Sequence, residues 1–250
     1  MKHAALFATA ASLLPALTAS LAAAAPAIPP YISAAVADSA RPAEDQQRDA
    51  ERKPAETLAF AGVKPGDTVI EVAAGKGYYT RLLSAVVGGA KGKVYAVGSQ
   101  PKPDAPPPPV VAIAADPHYG NVTVSLQHIP DLKLPEGVDL VWTSQNYHDL
   151  HNIKELEVAK FNRAFFEALK RGGTYLVLDH AAEAGSGPRD TSTLHRIDEE
   201  TAKQEVTAAG FKLVAESDIL RNKSDPHTAK VFDPEIRGHT DQFVLKFKKP

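Results

Sequence analysis

The sequence predicts an α/β fold, a single mostly parallel sheet with helices on both faces. Three observations carry this. Short β-branched, apolar runs alternate with stretches whose apolar residues recur at helical spacing, the pattern of a parallel sheet covered on both sides. The first such run leads into a glycine-rich bend, VIEVAAGKGYYT from Val69 to Thr80. The last two runs have no helix-sized apolar pattern between them, because residues 221–240 are polar and turn-rich, and they read as an antiparallel pair.

Taken in order, residues 26–40 (PAIPPYISAAVADSA) are rich in Pro and Ala and read as an extended lead-in. From Arg41 to Ala61 the polar–apolar spacing suits a helix broken before Pro54. DTVIEVA (67–73) is a strand, and YYTRLLSAVVG (78–88) is a helix stopped by Gly88 and Gly89. GKVYAVG (92–98) is the second strand. PKPDAPPPP (101–109) holds too many prolines for a helix or a central strand and reads as a stiff surface loop. NVTVSLQ (121–127) and VDLVWTS (138–144) are strands three and four. A helix from about Ile153 to Lys170 carries Leu156, Phe161, Phe165 and Leu169 on its inner stripe. GTYLVLDH (173–180) is strand five, a helix follows from Asp198 to Ala209, and FKLVAESDIL (211–220) and DQFVLKFKK (241–249) close the sheet.

The 250 residues suffice for one sizeable domain, expected over residues 41–250. A net charge of −2 gives no electrostatic argument for a nucleic-acid partner or an anionic membrane surface. The chain has no cysteine, which excludes disulfides and a lipid-anchored lipoprotein. Residues 1–25 read as a secretory signal peptide. Lys2 supplies the positive start, no Asp, Glu, Lys or Arg follows until Asp38, and SLAAAAPA offers small residues at cleavage spacing, after Ala24 or Ala27. An uncleaved membrane anchor is the alternative; alanine is weakly apolar and Pro15 interrupts the run, which count against it. The expected location is periplasmic or secreted, without stable membrane insertion after cleavage.

The bend after the first strand is the candidate site. Gly75 and Gly77 let the backbone pass close under a ligand, and the next helix points free amides at an anionic group. Glu71 lies inside an otherwise apolar strand, where a carboxylate is costly unless it meets donors such as loop amides or a bound ammonium group. A purely structural role for Glu71 stays open. Nucleotide binding calls for G-x-G-x-x-G or a Lys-Ser/Thr pair, and GKGYYT has neither. A ligand with a carboxylate and an amine fits better than a pyrophosphate.

With RPAEDQQRDAERKPAETLAFAGVKPGDTVIEVAAGKGYYTRLL, QNYHDLH, LKRGGTYLVLDHAAEAGSG, LHRID and VFDPEIRGHTDQFVLKF, the chain resembles the class I S-adenosylmethionine-dependent methyltransferases. Within them it is similar to the group of predicted, exported bacterial methyltransferases, and the resemblance covers nearly the whole mature chain. It implies a Rossmann-like sheet of seven strands in the order 3-2-1-4-5-7-6, strand 7 antiparallel. It also implies S-adenosylmethionine as cofactor and methyl transfer to a small-molecule acceptor.

Carried onto this sequence, the cofactor would be held by Glu71, Ala73, Gly75, Gly77, Tyr78, Gly98, Ser99, Gln127 and His128. Three positions depart from the superfamily pattern. Ala73 stands where the first glycine is expected, Gly98 and Ser99 where an acid would hold the ribose hydroxyls, and His128, after Gln127, where an acid would meet the adenine amine. Losing the ribose acid removes charge-assisted hydrogen bonds worth on the order of 1.5–3 kcal/mol.

QNYHDLH follows strand four at the rim where such enzymes present catalytic side chains. Asn146, His148 and Asp149 are the catalytic candidates, with His148 as a base oriented by Asp149. The alternative is that Asp149 caps the next helix and the histidines, His151 above all, are plain loop residues. Tyr79, His180, His195 and Arg196 are expected to line the acceptor pocket, although packing alone accounts for Tyr78 and Tyr79, and Arg196 also has Asp198 and Glu199 as surface partners. A metal centre built from His148, Asp179, His180 and His195 is considered, but no H-x-x-x-H or similar spacing supports it, and none is expected. A non-catalytic or differently liganded binding protein on the same fold is the competing expectation, and an envelope protein using its proline loop as a contact is a third.

Overall fold

In the computed structural model, which describes residues 27–88 and 91–250, seven strands pair into one sheet. The expected leader lies outside the described residues. The strands are β1 (Thr68–Val72), β2 (Lys93–Ser99), β3 (Val122–Gln127), β4 (Val138–Ser144), β5 (Leu169–His180), β6 (Lys212–Ser217) and β7 (Gln242–Lys248). Their order is β3-β2-β1-β4-β5-β7-β6. The first five pair in parallel, and β7 runs antiparallel to both β5 and β6.

Strand periodicity sorts the core into two layers. Val69, Leu140, Trp142, Leu176, Leu178 and Val244 face one way; Ile70, Val72, Val141, Tyr175, Val177, Phe243, Leu245 and Phe247 face the other. Onto the first face pack α1 (Pro30–Val36), α4 (Pro54–Ala61), α5 (Tyr78–Val87) and α6 (Pro109–Ala115). The second face is covered by α7 (Val158–Ala168) and α8 (Glu199–Ala208). Among the described residues no helix is long and apolar enough to cross a membrane.

Three expectations are corrected. The lead-in is not extended: Pro29 and Pro30 set the first turn of α1, and Ile32 and Ala35 are buried against the first face. Residues 41–61 form three short helices, α2 (Ala43–Gln46), α3 (Asp49–Arg52) and α4. The break does fall before Pro54, at Lys53 with φ 42°. The proline loop ends by starting a helix, since Pro109 occupies the first turn of α6, where its missing N–H costs nothing.

The strand order reverses between β1 and β4, so the crevice beyond their carboxyl ends is the natural ligand site. Residues 221–240 fold back over that end of the sheet. Arg196 holds them there: it is fully buried, pairs with Asp225 through both terminal nitrogens at 2.8 and 3.1 Å, and donates to Ala229 O and Ala181 O.

Candidate functional site

Two cavities flank the loop after β1, and both are lined by Ala73, Ala74, Gly75 and Lys76. The first, of about 420 Å³, is an apolar groove completed by Ala96, Val97, Gly98, Ser99, Pro108, Pro109, Val110 and Leu126. The second, of about 300 Å³, is polar; its walls include Arg48, Arg52, Glu71, Tyr78, Tyr79, Ser144, Gln145, Asn146 and Asp149. Gly75 takes φ 57° at the joint, a left-handed conformation that glycine adopts without the cost other residues pay. Gly77, at φ 81°, shares that reason and adds a steric one: a Cβ there would lie 1.9 Å from Ile113 Cδ1 of α6.

The polar cavity is rich in unmet hydrogen bonding. Thr80 donates to Glu71 at 2.6 Å, and burial pushes the Glu71 carboxyl up to about 7. The hydrogen-bond partner of the Glu71 side chain is thus a hydroxyl, not an arginine. Asn146 donates to Val72 O at 2.8 Å, which leaves its Oδ1 buried without a partner; Ser144 Oγ and Arg52 Nε are buried and unpartnered too. The Arg52 guanidinium lies over the rings of Tyr78, at 4.5 Å, and Tyr79, at 5.6 Å, and donates to the neutral Gln145 side chain at 2.6 Å. Burial pulls its pKa down. A half-buried cation hydrogen-bonded to a neutral amide is a site for an anion. Tyr78 is anchored by its hydroxyl, which donates to Asp49 at 2.6 Å, and Asp49 in turn takes both terminal nitrogens of buried Arg41. This network fixes α3, and with it Arg52, over the cavity.

Beside it lies a smaller cavity of about 100 Å³, which shares Arg48, Arg52 and Gln145 and adds His180, Phe232, Arg237, Thr240 and Gln242. The Arg52–Gln145–Gln242 chain of hydrogen bonds, 2.6 and 2.9 Å, separates the two. At their margin stand His148, Asp149 and His195. The buried His148 ring is oriented by Asp179 rather than by Asp149: Asp179 Oδ1 lies 2.9 Å from Nδ1, and Asp179 Oδ2 accepts from the His148 backbone at 2.7 Å. Burial opposes charge on His148, but Asp179 outweighs it and the pKa is raised. The other nitrogen, Nε2, lies 3.3 Å from Asp149 Oδ1, and His195 Nδ1 lies 3.7 Å from the same oxygen.

Of the residues expected from sequence, Glu71, Ala73, Gly75, Tyr78, Tyr79, Gly98, Ser99, Asn146 and Asp149 line the two cavities at the loop, and His180 lines the third. Gly77, His148 and His195 line none of the three, Gly77 at the start of α5 and the two histidines around Asp149. Three more are placed elsewhere. The Gln127 side chain bonds Ser125 and the Lys133 backbone, and His128 is exposed beside Asp131, so both are absorbed by the loop after β3. Arg196 is not a pocket residue but the buried clamp on residues 221–240, and its partner is Asp225 rather than Asp198 or Glu199. His151 turns to Glu205. Sequence reading missed Arg48, Arg52, Ser144 and Gln145. The signal for the arginines was their i, i+4 spacing within a segment otherwise read only as helix. Also missed was the convergence of His148, Asp149 and His195, whose candidate ligand atoms all lie within 4.8 Å of one another although no metal was expected.

No protein-family model and no curated protein sequence matches the chain. Among solved structures it is similar to a SAM-dependent methyltransferase from Aquifex aeolicus, with TM-score 0.60 and 21% identity over 83% of this chain and 95% of that one. It is similar also to the [4+2]-cyclase SpnF, with TM-score 0.56 and 19% identity over 83% and 81%. A third is a protein from Bordetella parapertussis described as a possible exported protein, with TM-score 0.52 and 16% identity over 82% and 67%. At these identities the likeness is one of fold, and the fold carries more than one chemistry.

Proposed function

We propose that this protein binds S-adenosylmethionine at the loop after β1 and transfers its methyl group to a small acceptor. The observation that carries the reading is the pairing of an apolar groove with a polar cavity whose buried Arg52, Ser144 and Asn146 atoms lack partners. Those atoms are complementary to a zwitterionic amino-acid tail. Arg52 would take the carboxylate, and Glu71, Ser144 and Asn146 Oδ1 would receive the ammonium group. The groove between Gly98, Pro108 and Leu126 would take the adenosine, with Ser99 as the polar group nearest the end of β2. When bound, the cofactor supplies an electrophilic methyl group on its sulfonium.

The chain's own contribution is positioning. α3 and the Tyr78 hydroxyl hold Arg52 in place, and the Arg52–Gln145–Gln242 chain marks the boundary across which the acceptor enters from the cavity containing His180 and Phe232. Where the acceptor is a hydroxyl, its proton must leave, and the corner made by His148, Asp149 and His195 collects the proton-accepting atoms nearest that boundary. A location outside the cytoplasm belongs to the same proposal; it rests on the leader-like residues 1–25, beside a fold shared with a protein described as a possible exported protein.

Calorimetry with the purified protein tests it. S-adenosylmethionine should bind with a Kd on the order of micromolar, and Arg52→Met should weaken it by roughly tenfold to a hundredfold. No binding at concentrations on the order of 1 mM would sink the reading. A specific observation keeps a second reading in view: no carboxylate stands at Gly98 and Ser99 to hold ribose hydroxyls, and His128 is turned away from the groove. That favours a binding protein for another ligand with an amine and a carboxylate. It would be revealed by a free amino acid that raises the melting temperature more than S-adenosylmethionine does.

A further inference from the structure

We propose that His148, Asp149 and His195 form a binding site for one divalent transition-metal ion at the margin between the two cavities. Asp179 faces His148 Nδ1 with both carboxylate oxygens, at 2.9 and 3.1 Å, which fixes the ring proton there. In the neutral ring Nε2 is then a bare lone pair, and it faces another acceptor, Asp149 Oδ1, at 3.3 Å. His195 Nδ1 approaches that same oxygen at 3.7 Å. With both rings neutral at these atoms, three lone-pair donors converge on one point, an arrangement relieved by a proton or by a metal ion placed among them.

The dimensions suit such an ion. Donors about 2.1 Å from a tetrahedral metal stand roughly 3.4 Å apart. Two of the three separations are already close to that, and no pair of ligand atoms exceeds 4.8 Å. The supporting shell is in place as well. Asp179 is fully buried, accepts backbone N–H bonds from both His148 and His180, and completes a carboxylate–histidine arrangement of the kind that orients metal ligands. His195 reaches the site only by adopting φ 57°, and Phe232 packs edge-on against its ring at 4.9 Å. Backbone held in a sparsely populated conformation at a cluster of ligands is the form strain takes at functional sites.

Two imidazoles and one carboxylate select a borderline ion such as Zn²⁺, Co²⁺ or Fe²⁺ over Mg²⁺ or Ca²⁺, and a three-ligand set leaves positions open toward the cavities. Asp149 lines the polar cavity, and the Phe232 that covers His195 lines the smaller one, so the open positions lie where an acceptor would meet the site. An ion there would lower the pKa of a bound hydroxyl and take over the base role expected of His148. The site stands on these residues whether or not S-adenosylmethionine binds.

The test is a titration of chelator-treated protein with Zn²⁺ and Co²⁺ in the absence of any nucleoside. One Zn²⁺ per chain should bind with a Kd below about 1 µM, and Co²⁺ should give visible absorption bands. His195→Gln and Asp149→Asn, both at partly exposed side chains, should each weaken binding by at least about tenfold, and Asp179→Asn by roughly tenfold to a hundredfold. His118→Ala, at the far end of the sheet, should leave it unchanged. Absence of one-to-one binding, binding indifferent to His195→Gln and Asp149→Asn, or His148 and His195 ring signals that do not move on adding Zn²⁺ would overturn the site. The last outcome would assign the gap to a proton shared between His148 and Asp149.

Discussion

Glu71 carries the sharpest single-residue consequence. Its side chain points to the same face as Val69, into the layer under α5, where Thr80 supplies one hydrogen bond and burial does the rest. A carboxyl raised from 4.5 to about 7 favours folding in its protonated form. The native state therefore holds more protons than the unfolded chain between those values. Stability is full below about pH 4.5 and falls as pH rises through about 7, by a total of about 3 kcal/mol. Glu71→Gln removes that dependence, so the variant should gain on the parent between about pH 5 and about pH 8. Urea denaturation at both values measures it; a difference that stays constant would mean that Glu71 does not titrate there. The expectation that this acid is exceptional was legible, because a charge inside TVIEV has no ordinary explanation. Its neighbours were not. Arg52 and Ser144 are unremarkable in sequence and become site residues only because α3 is folded over the end of β1.

At the scale of elements, two segments that look peripheral in sequence are structural. α1 buries Ile32 completely and packs on α4 and α5, so the segment read as a lead-in is part of the core. Ile32→Ala should cost about 2–4 kcal/mol in urea unfolding, whereas an extended, solvated segment would tolerate it without measurable change. The turn-rich stretch 221–240 is secured by Arg196 and Asp225, both fully buried as side chains. Removing one partner of such a pair strands the other charge, so Arg196→Ala should destabilise by about 3–5 kcal/mol. It should also open residues 221–240 to proteolysis before the sheet unfolds. Cleavage in that stretch no faster than in the parent would show that the clamp is dispensable. Neither role has a local signature: the partner of Arg196 lies 29 residues away, and the apolar face of α1 is too short to stand out by periodicity.

For the molecule as a whole, strand order and site position follow from one fact, the reversal of the sheet between β1 and β4. The three non-glycine residues Ala73, Gln145 and His195 take left-handed backbone conformations at this site, with φ of 50°, 57° and 57°. Strain is thus gathered where β1, β4 and the loop after β5 meet. Read alone, the sequence determined the alternation of strands and helices, the antiparallel closing pair, the bend at Gly75 and the oddity of Glu71. Each of these is written in neighbouring residues, through side-chain periodicity, glycine's freedom at positive φ and the cost of burying charge. Tertiary structure alone decided which charges meet. Arg52 over Tyr78, Arg196 on Asp225, Asp179 behind His148 and His195 beside Asp149 join residues from 26 to 46 positions apart. Such pairings are fixed by the packing of the sheet's carboxyl end, which no local pattern encodes.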